Sequence, residues 1–213
     1  MKHGEPAYHP EDLTARMTAA GVSPKVQSEI QEVVAFHTYP APGALIGTFM
    51  VDWALELIGA DRNEKLYAVA ETPKCLPDAI QVLAGCTTGN HRLRVLSIGK
   101  FALSMNRASG DVSVEAVRVY VDTGKLKDFR IAYLWFMNSR EFNKHAMTDT
   151  LMDEIFRAGR SILSCEKVRI AITPKQKWKP VSCPACGEAV PDYMIEGDHC
   201  AACGSMKYYE RID

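Results

Sequence analysis

The sequence predicts an α+β fold followed by a small metal-held module. Two observations carry this. Short runs with strand alternation are mixed with helical periodicities, and the regular strand–helix–strand repeat of a parallel α/β sheet is missing. The tail carries Cys183-Pro-Ala-Cys186 and Cys200-Ala-Ala-Cys203, two CxxC pairs separated by thirteen residues. A CxxC turn brings two thiolates to one ion at Zn–S distances of about 2.3 Å, and two such turns complete a tetrahedral Cys₄ site. Gly187 and Gly204 follow the second cysteine of each pair, where a left-handed backbone would turn amides toward the sulfurs. Two disulfides or a redox CxxC are the alternatives. The doubled motif and its spacing favour one structural Zn²⁺.

With 213 residues the chain is long enough for one ordinary domain and a short extra module. We expect a core over residues 1–176 and a Cys₄ module over 177–213, the latter too short to fold without its metal.

Taken in order, residues 1–10 read as an arm and 11–20 as a short helix stopped by Gly21. Ser23-Pro24 is a cap followed by a proline at the first helical position, and Val26, Ile30, Val33, Val34 and His37 recur at helical spacing. Pro40 and Pro42 end that helix, and residues 44–58 form the next, with Leu45, Phe49, Trp53 and Leu57 on one face. Gly43 and Gly47, four apart, either permit close helix packing or mark the helix start; the start is favoured. Residues 66–71 read as a strand, 77–84 as a helix ended by Gly85, and 93–97 and 100–107 as two strands joined around Gly99. A strand over 112–121, an apolar 129–137 open to either structure, a helix over 148–164 and a closing strand over 167–173 complete the core.

The charge is balanced, 25 Lys and Arg against 26 Asp and Glu, so nothing global points to nucleic acid or an acidic membrane. Seven cysteines, four of them in one zinc pattern, suit a reducing cytosol. Residues 1–12 are polar, with no signal peptide expected, and residues 33–60 are interrupted by prolines and by Asp52 and Glu56, so no membrane span is expected.

Three turns hold the chemistry-bearing residues. His37 closes a helix and reads, by itself, as a core histidine. Cys75 lies between a strand end and a helix start, where amides and the helix dipole lower a thiol pKa, with Asp78 just inside the helix. Gly85-Cys86-Thr87-Thr88-Gly89-Asn90, with Gly99-Lys100 downstream, is a plain turn or an anion cradle. Tyr133-Leu-Trp135-Phe136 reads as an aromatic core or dimer segment rather than a stacking platform for bases. Lys175-Gln-Lys177-Trp178-Lys179 reads as a solvated linker rather than a nucleic-acid contact.

Phe36-His37, Pro42-Gly43, Glu71, Cys75, Asp78-Ala79-Ile80-Gln81, Gly85-Cys86-Thr87, Gly89 and Gly99-Lys100 follow one another in this order. In this the chain resembles the FmdE family of formylmethanofuran dehydrogenase. The resemblance implies an α+β core, an intertwined homodimer, a treble-clef or zinc-ribbon-like finger and a cytoplasmic setting in anaerobic one-carbon metabolism. It also implies a core pocket drawn from His37, Cys75, Asp78, Cys86, Thr87 and Lys100. Within it His37 and Cys75 are candidate ligands of a second transition metal. The family's second histidine falls on Tyr39 and its cysteine before Pro-Gly on Ala41. Occupancy there is therefore expected to be weaker than in the tail.

The function expected is a zinc-binding accessory or metal-handling protein for molybdenum- or tungsten-dependent formylmethanofuran dehydrogenase-type chemistry, with the proteins of such an enzyme as partners. The alternative is a zinc-finger regulator or metal sensor that binds protein or nucleic acid. A small enzyme using the Cys75 thiolate and His37 base is a third reading. The chain lacks the cysteine clusters of an iron–sulfur redox protein and any dinucleotide motif.

Overall fold

The computed structural model describes residues 10–171, 177–210 and 212. The expected arm at 1–9 and the start of the basic linker, Lys175 and Gln176, lie outside the described residues. The chain divides into two compact units, 1–172 and 173–213.

The first unit is an α+β core. Helices α1 (Pro10–Ala19), α2 (Pro24–His37) and α3 (Pro42–Ile58) precede strand β1 (Leu66–Ala70). Helix α4 (Leu76–Ala84), strands β2 (Leu93–Val95), β3 (Ala102–Arg107) and β4 (Ser113–Val121), and the short helices α5 (Thr123–Leu126) and α6 (Arg130–Phe136) follow. Helix α7 (Lys144–Ala158), one 3₁₀ turn and β5 (Leu163–Ala171) close the unit. The sheet order is β2-β1-β3-β4-β5. Only β1 and β2 run parallel, with Ala68 opposite Leu93.

Helix α3 is the centre of the core. Every residue from Gly43 through Asp52 is buried, because its apolar side chains run all round rather than along one stripe. It packs against α2, α4 and α7 and against β3 and β4. The start of α2 follows the cap expected at Ser23, whose Oγ accepts from the Val26 N–H at 3.4 Å.

Three expectations are corrected. The two strands joined around Gly99 do not pair with each other; β2 and β3 lie on opposite sides of β1. The helix expected over 148–164 is displaced. Asn143 caps α7 by accepting from the His145 and Ala146 amides at 3.0 and 3.2 Å, and Gly159 at φ 49° ends it. The chain then enters β5 at Leu163, and Cys165 is an exposed strand residue. Gly43 and Gly47 serve close packing: a Cβ at Gly47 would lie 3.1 Å from the Ala79 Cβ of α4, and one at Gly43 would lie 3.0 Å from the Cys75 Cβ. The stretch 129–137, open to either structure in the sequence, is helical and set against the core, with Phe136 edge-on to Phe101 at 6.3 Å. Its first turn is capped by buried Glu154, which accepts from the Ala132 N–H at 2.8 Å.

The second unit consists of two hairpins, β6 (Pro180–Ser182) with β7 (Ala189–Pro191) and β8 (Ile195–Glu196) with β9 (His199–Cys200). It has no α-helix among its described residues, which is the ribbon form of zinc module. Among all described residues no helix is long and apolar enough to cross a membrane.

Candidate metal centres

Each hairpin of the second unit carries a cysteine turn. The Gly187 N–H returns to the Cys183 carbonyl at 2.8 Å and the Gly204 N–H to the Cys200 carbonyl at 3.1 Å. Gly187 takes the expected left-handed conformation at φ 77°. Gly204 does not; it is glycine because a Cβ there would collide with the His199 Nε2. The four ligand sulfurs of Cys183, Cys186, Cys200 and Cys203 lie within 4.8 Å of one another, and all seven cysteines are free thiols. The Cys200 and Cys203 sulfurs are 3.7 Å apart, close to the roughly 3.8 Å edge of a tetrahedron with 2.3 Å Zn–S bonds. Backbone amides, that of Cys186 foremost and that of Cys200 at 3.2 Å, pull the Cys183 thiol down to about 6 and so favour the ligating thiolate. Among the described residues this is the one group of three or more His, Cys, Asp or Glu side chains with metal-sized separations.

In the first unit the ends of α2, α3 and α4 meet. His37, the last residue of α2, places Nδ1 2.6 Å from Asp78 Oδ2 in the first turn of α4. The His37 side chain is 13% exposed, and its Nε2 is buried without a hydrogen-bond partner. Thr38 at φ 75° turns the chain back, and the Tyr39 ring packs on the His37 ring with centroids 4.9 Å apart.

Cys75 caps α4 at φ 47°, ψ −50°, a backbone conformation rare for a side chain other than glycine. Its sulfur lies against α3, 3.1 Å from where a Gly43 Cβ would stand. The expected depression of its pKa is reversed. Burial, then the Asp78 charge, push the thiol up and outweigh Lys74.

The other pocket candidates separate. Cys86 and Thr87 follow the far end of the nine-residue α4, ~13 Å along the helix axis from Cys75, so they do not line one pocket with it. The Cys86 thiol donates to the Leu66 and Ala84 carbonyls at 3.2 and 3.5 Å, and burial raises it to about 11, which makes it an inert core thiol. The loop around Thr87 closes on itself instead of cradling an anion. Asn90 Oδ1 accepts from the Thr87 and Arg92 amides, each at 3.0 Å, and the Thr87 hydroxyl accepts from the Asn90 N–H at 3.0 Å. Lys100 is exposed on the Cys75 side of the sheet, its N–H donating to the Glu71 carbonyl at 3.2 Å.

Two contributors were not singled out in the sequence. Asn90 had a local signal in its Gly-Asn turn. Arg118 had none, since the Glu71 carboxylate that it grips at 2.5 and 2.8 Å lies 47 residues away.

Residues 36–171, which hold this whole arrangement from His37 through β5, match the family model described as FmdE, of the molybdenum formylmethanofuran dehydrogenase operon. The chain belongs to the FmdE family. A solved protein of Syntrophus aciditrophicus, described as FmdE-like and of tungsten formylmethanofuran dehydrogenase, is 36% identical. It has a TM-score of 0.71 over 86% of this chain and 95% of that one. A probable S-adenosyl-L-methionine-binding protein of Archaeoglobus fulgidus is 33% identical over 100 residues, which make up 44% of this chain. The match spans about a quarter of that relative, 26% of its length. The FmdE signature thus coincides with the helix ends that bring His37 to Asp78 and Cys75 to Gly43. The Cys₄ turns lie beyond the matched segment.

Proposed function

We propose that this FmdE protein is an accessory, metal-handling partner of formylmethanofuran dehydrogenase-type chemistry. It keeps one structural Zn²⁺ in the tail and takes a second, more weakly held transition metal at His37 and Cys75. The observation that carries the reading is the buried His37 Nε2 without a partner, on a ring whose other nitrogen is held by Asp78. An imidazole so arranged suits a metal, and a neighbouring thiol is the soft ligand such an ion prefers. The first unit lacks any set of three ligating groups at metal-sized separations among its described residues, so a water or a partner's group would complete the site.

The protein would act in the cytoplasm as a homodimer. Phe36 and Tyr39, 55% and 48% exposed on either side of His37, supply apolar surface for the contact. The rival regulator reading finds little support for nucleic acid in the tail. Its described residues carry Lys177, Lys179 and Lys207 against Glu188, Asp192, Glu196, Asp198 and Glu210.

The test is a titration of Co²⁺ into protein whose tail is already filled with Zn²⁺. A second binding event that is lost in His37→Ala and in Cys75→Ala supports the reading. Absence of a second event in the wild type refutes it. Light scattering checks the dimer.

A further inference from the structure

We infer that Asp78 and Tyr39 are positioning residues that fix the His37 ring in one tautomer and one orientation, with the Nε2 lone pair presented to the core site. The inference rests on the reading of that site as a metal centre and deepens it.

A carboxylate only accepts, so at 2.6 Å the hydrogen lies on His37 Nδ1 and is donated to Asp78 Oδ2. In the neutral ring the lone pair is then on Nε2, the atom buried without a partner. The two nitrogens face different directions across the ring. An Asp78 carboxylate engaged at Nδ1 is therefore behind the imidazole as seen from a metal at Nε2, and is not itself a ligand. Asp78 was a candidate member of the pocket; the geometry assigns it the orienting task instead.

Tyr39 restrains the ring face. Its ring lies 4.9 Å away at 45°, held there by the left-handed turn at Thr38. This is the position at which the family resemblance expects a second histidine. Here the side chain that replaces a potential ligand packs against the ligand that remains. One metal ligand is exchanged for a firmer hold on the other.

The experiment is ¹⁵N NMR of the His37 ring, assigned by the signals missing from His37→Ala, together with Co²⁺ titration of protein whose tail holds Zn²⁺. The wild type should show a single tautomer protonated at Nδ1. Asp78→Ala should mix the tautomers and weaken Co²⁺ binding at the core by roughly 10- to 100-fold, the usual effect of removing such an outer partner. Asp78→Glu should restore part of the loss. Tyr39→Ala should weaken binding without changing the tautomer, and Tyr39→Phe should bind as the wild type, since the ring and not the hydroxyl is at work. A wild-type ring protonated at Nε2 would overturn the inference even if the Asp78 variants do not fold. So would Asp78→Ala protein that binds Co²⁺ like the wild type while His37→Ala loses it, and in that case the metal site itself would stand. Unchanged Co²⁺ binding in His37→Ala would remove both.

Discussion

Two buried carboxylates of the core respond to their surroundings in opposite directions. Glu29 is 2% exposed and one of its oxygens has no partner; burial first, and Asp52 second, raise its pKa. A carboxyl whose folded pKa is raised contributes stability below its unfolded value of about 4.3 and loses it as pH rises through the folded value. Glu29→Gln is therefore expected to raise the melting temperature at pH 7–8, with the gain shrinking toward pH 4. A variant less stable than the wild type at pH 8 would contradict this. Glu71 is the opposite case: the Arg118 hydrogen bonds hold its carboxyl below the usual range, against the penalty of burial. Its contribution is complete above about pH 4.3 and disappears as pH falls through the lowered folded value. Glu71→Gln should destabilise at pH 7, near the lower end of the roughly 3–5 kcal/mol seen for a broken buried pair, because Arg118 keeps Glu166 at 2.8 Å. Urea midpoints of variant and wild type should converge on acidification. The sequence marked Glu71 through its motif but not its charge partner, and marked Glu29 not at all. Both depend on contacts between residues far apart along the chain.

Helices show how far periodicity reaches and where local chemistry decides. The body of α2 was legible because Val26, Ile30, Val33 and Val34 repeat with its period and Ser23-Pro24 announces its start. The body of α7 was legible too, but its ends were not. Asn143 begins it before any apolar period is visible, and the 3₁₀ turn after Gly159 hands the chain to a strand whose first residues, Leu163 and Ser164, have no distinctive pattern. Asn143→Ala should cost about 1 kcal/mol, as a lost N-cap does, measured from the urea midpoint. A loss below a few tenths would show that the cap is redundant. The α3–α4 contact tests the glycine reading. Valine at Gly47 would push into Ala79 and the backbone of Leu76, so Gly47→Val is expected to destabilise by roughly 1–3 kcal/mol. A neutral outcome would return Gly47 to the weaker role of a residue near a helix start.

At the scale of the whole molecule the two units answer to different forces. The first buries a continuous apolar core around α3. The described tail has little besides Cys183, Cys200 and Ala201 in the way of buried apolar side chains, so its order is expected to come from metal ligation. Structural zinc sites supply on the order of 10–16 kcal/mol in small peptides, more than so short a segment gains by burial. Purified protein should hold one zinc equivalent in the tail that mild chelation does not remove. Cys203→Ser should lose that zinc and the amide-exchange protection of residues 177–210 while the urea midpoint of the core stays unchanged. A core that unfolds together with the tail would show that the two are not independent.

The sequence by itself determined the mixed helix and strand content, the Cys₄ turns and the family, because each is written in short-range spacing. Thiolate geometry needs only a CxxC turn, and a helix needs only its period and a cap. Tertiary structure decided the rest. It set β1 between β2 and β3, placed His37 on Asp78 across 41 residues, sent Cys86 to the far end of α4 and reversed the pKa shift of Cys75. Strand order and side-chain partnership follow from which buried faces fit together. A thiol at a helix start feels the helix dipole locally, but Cys75 also feels its burial and the charge of Asp78, and there the desolvation is the larger effect.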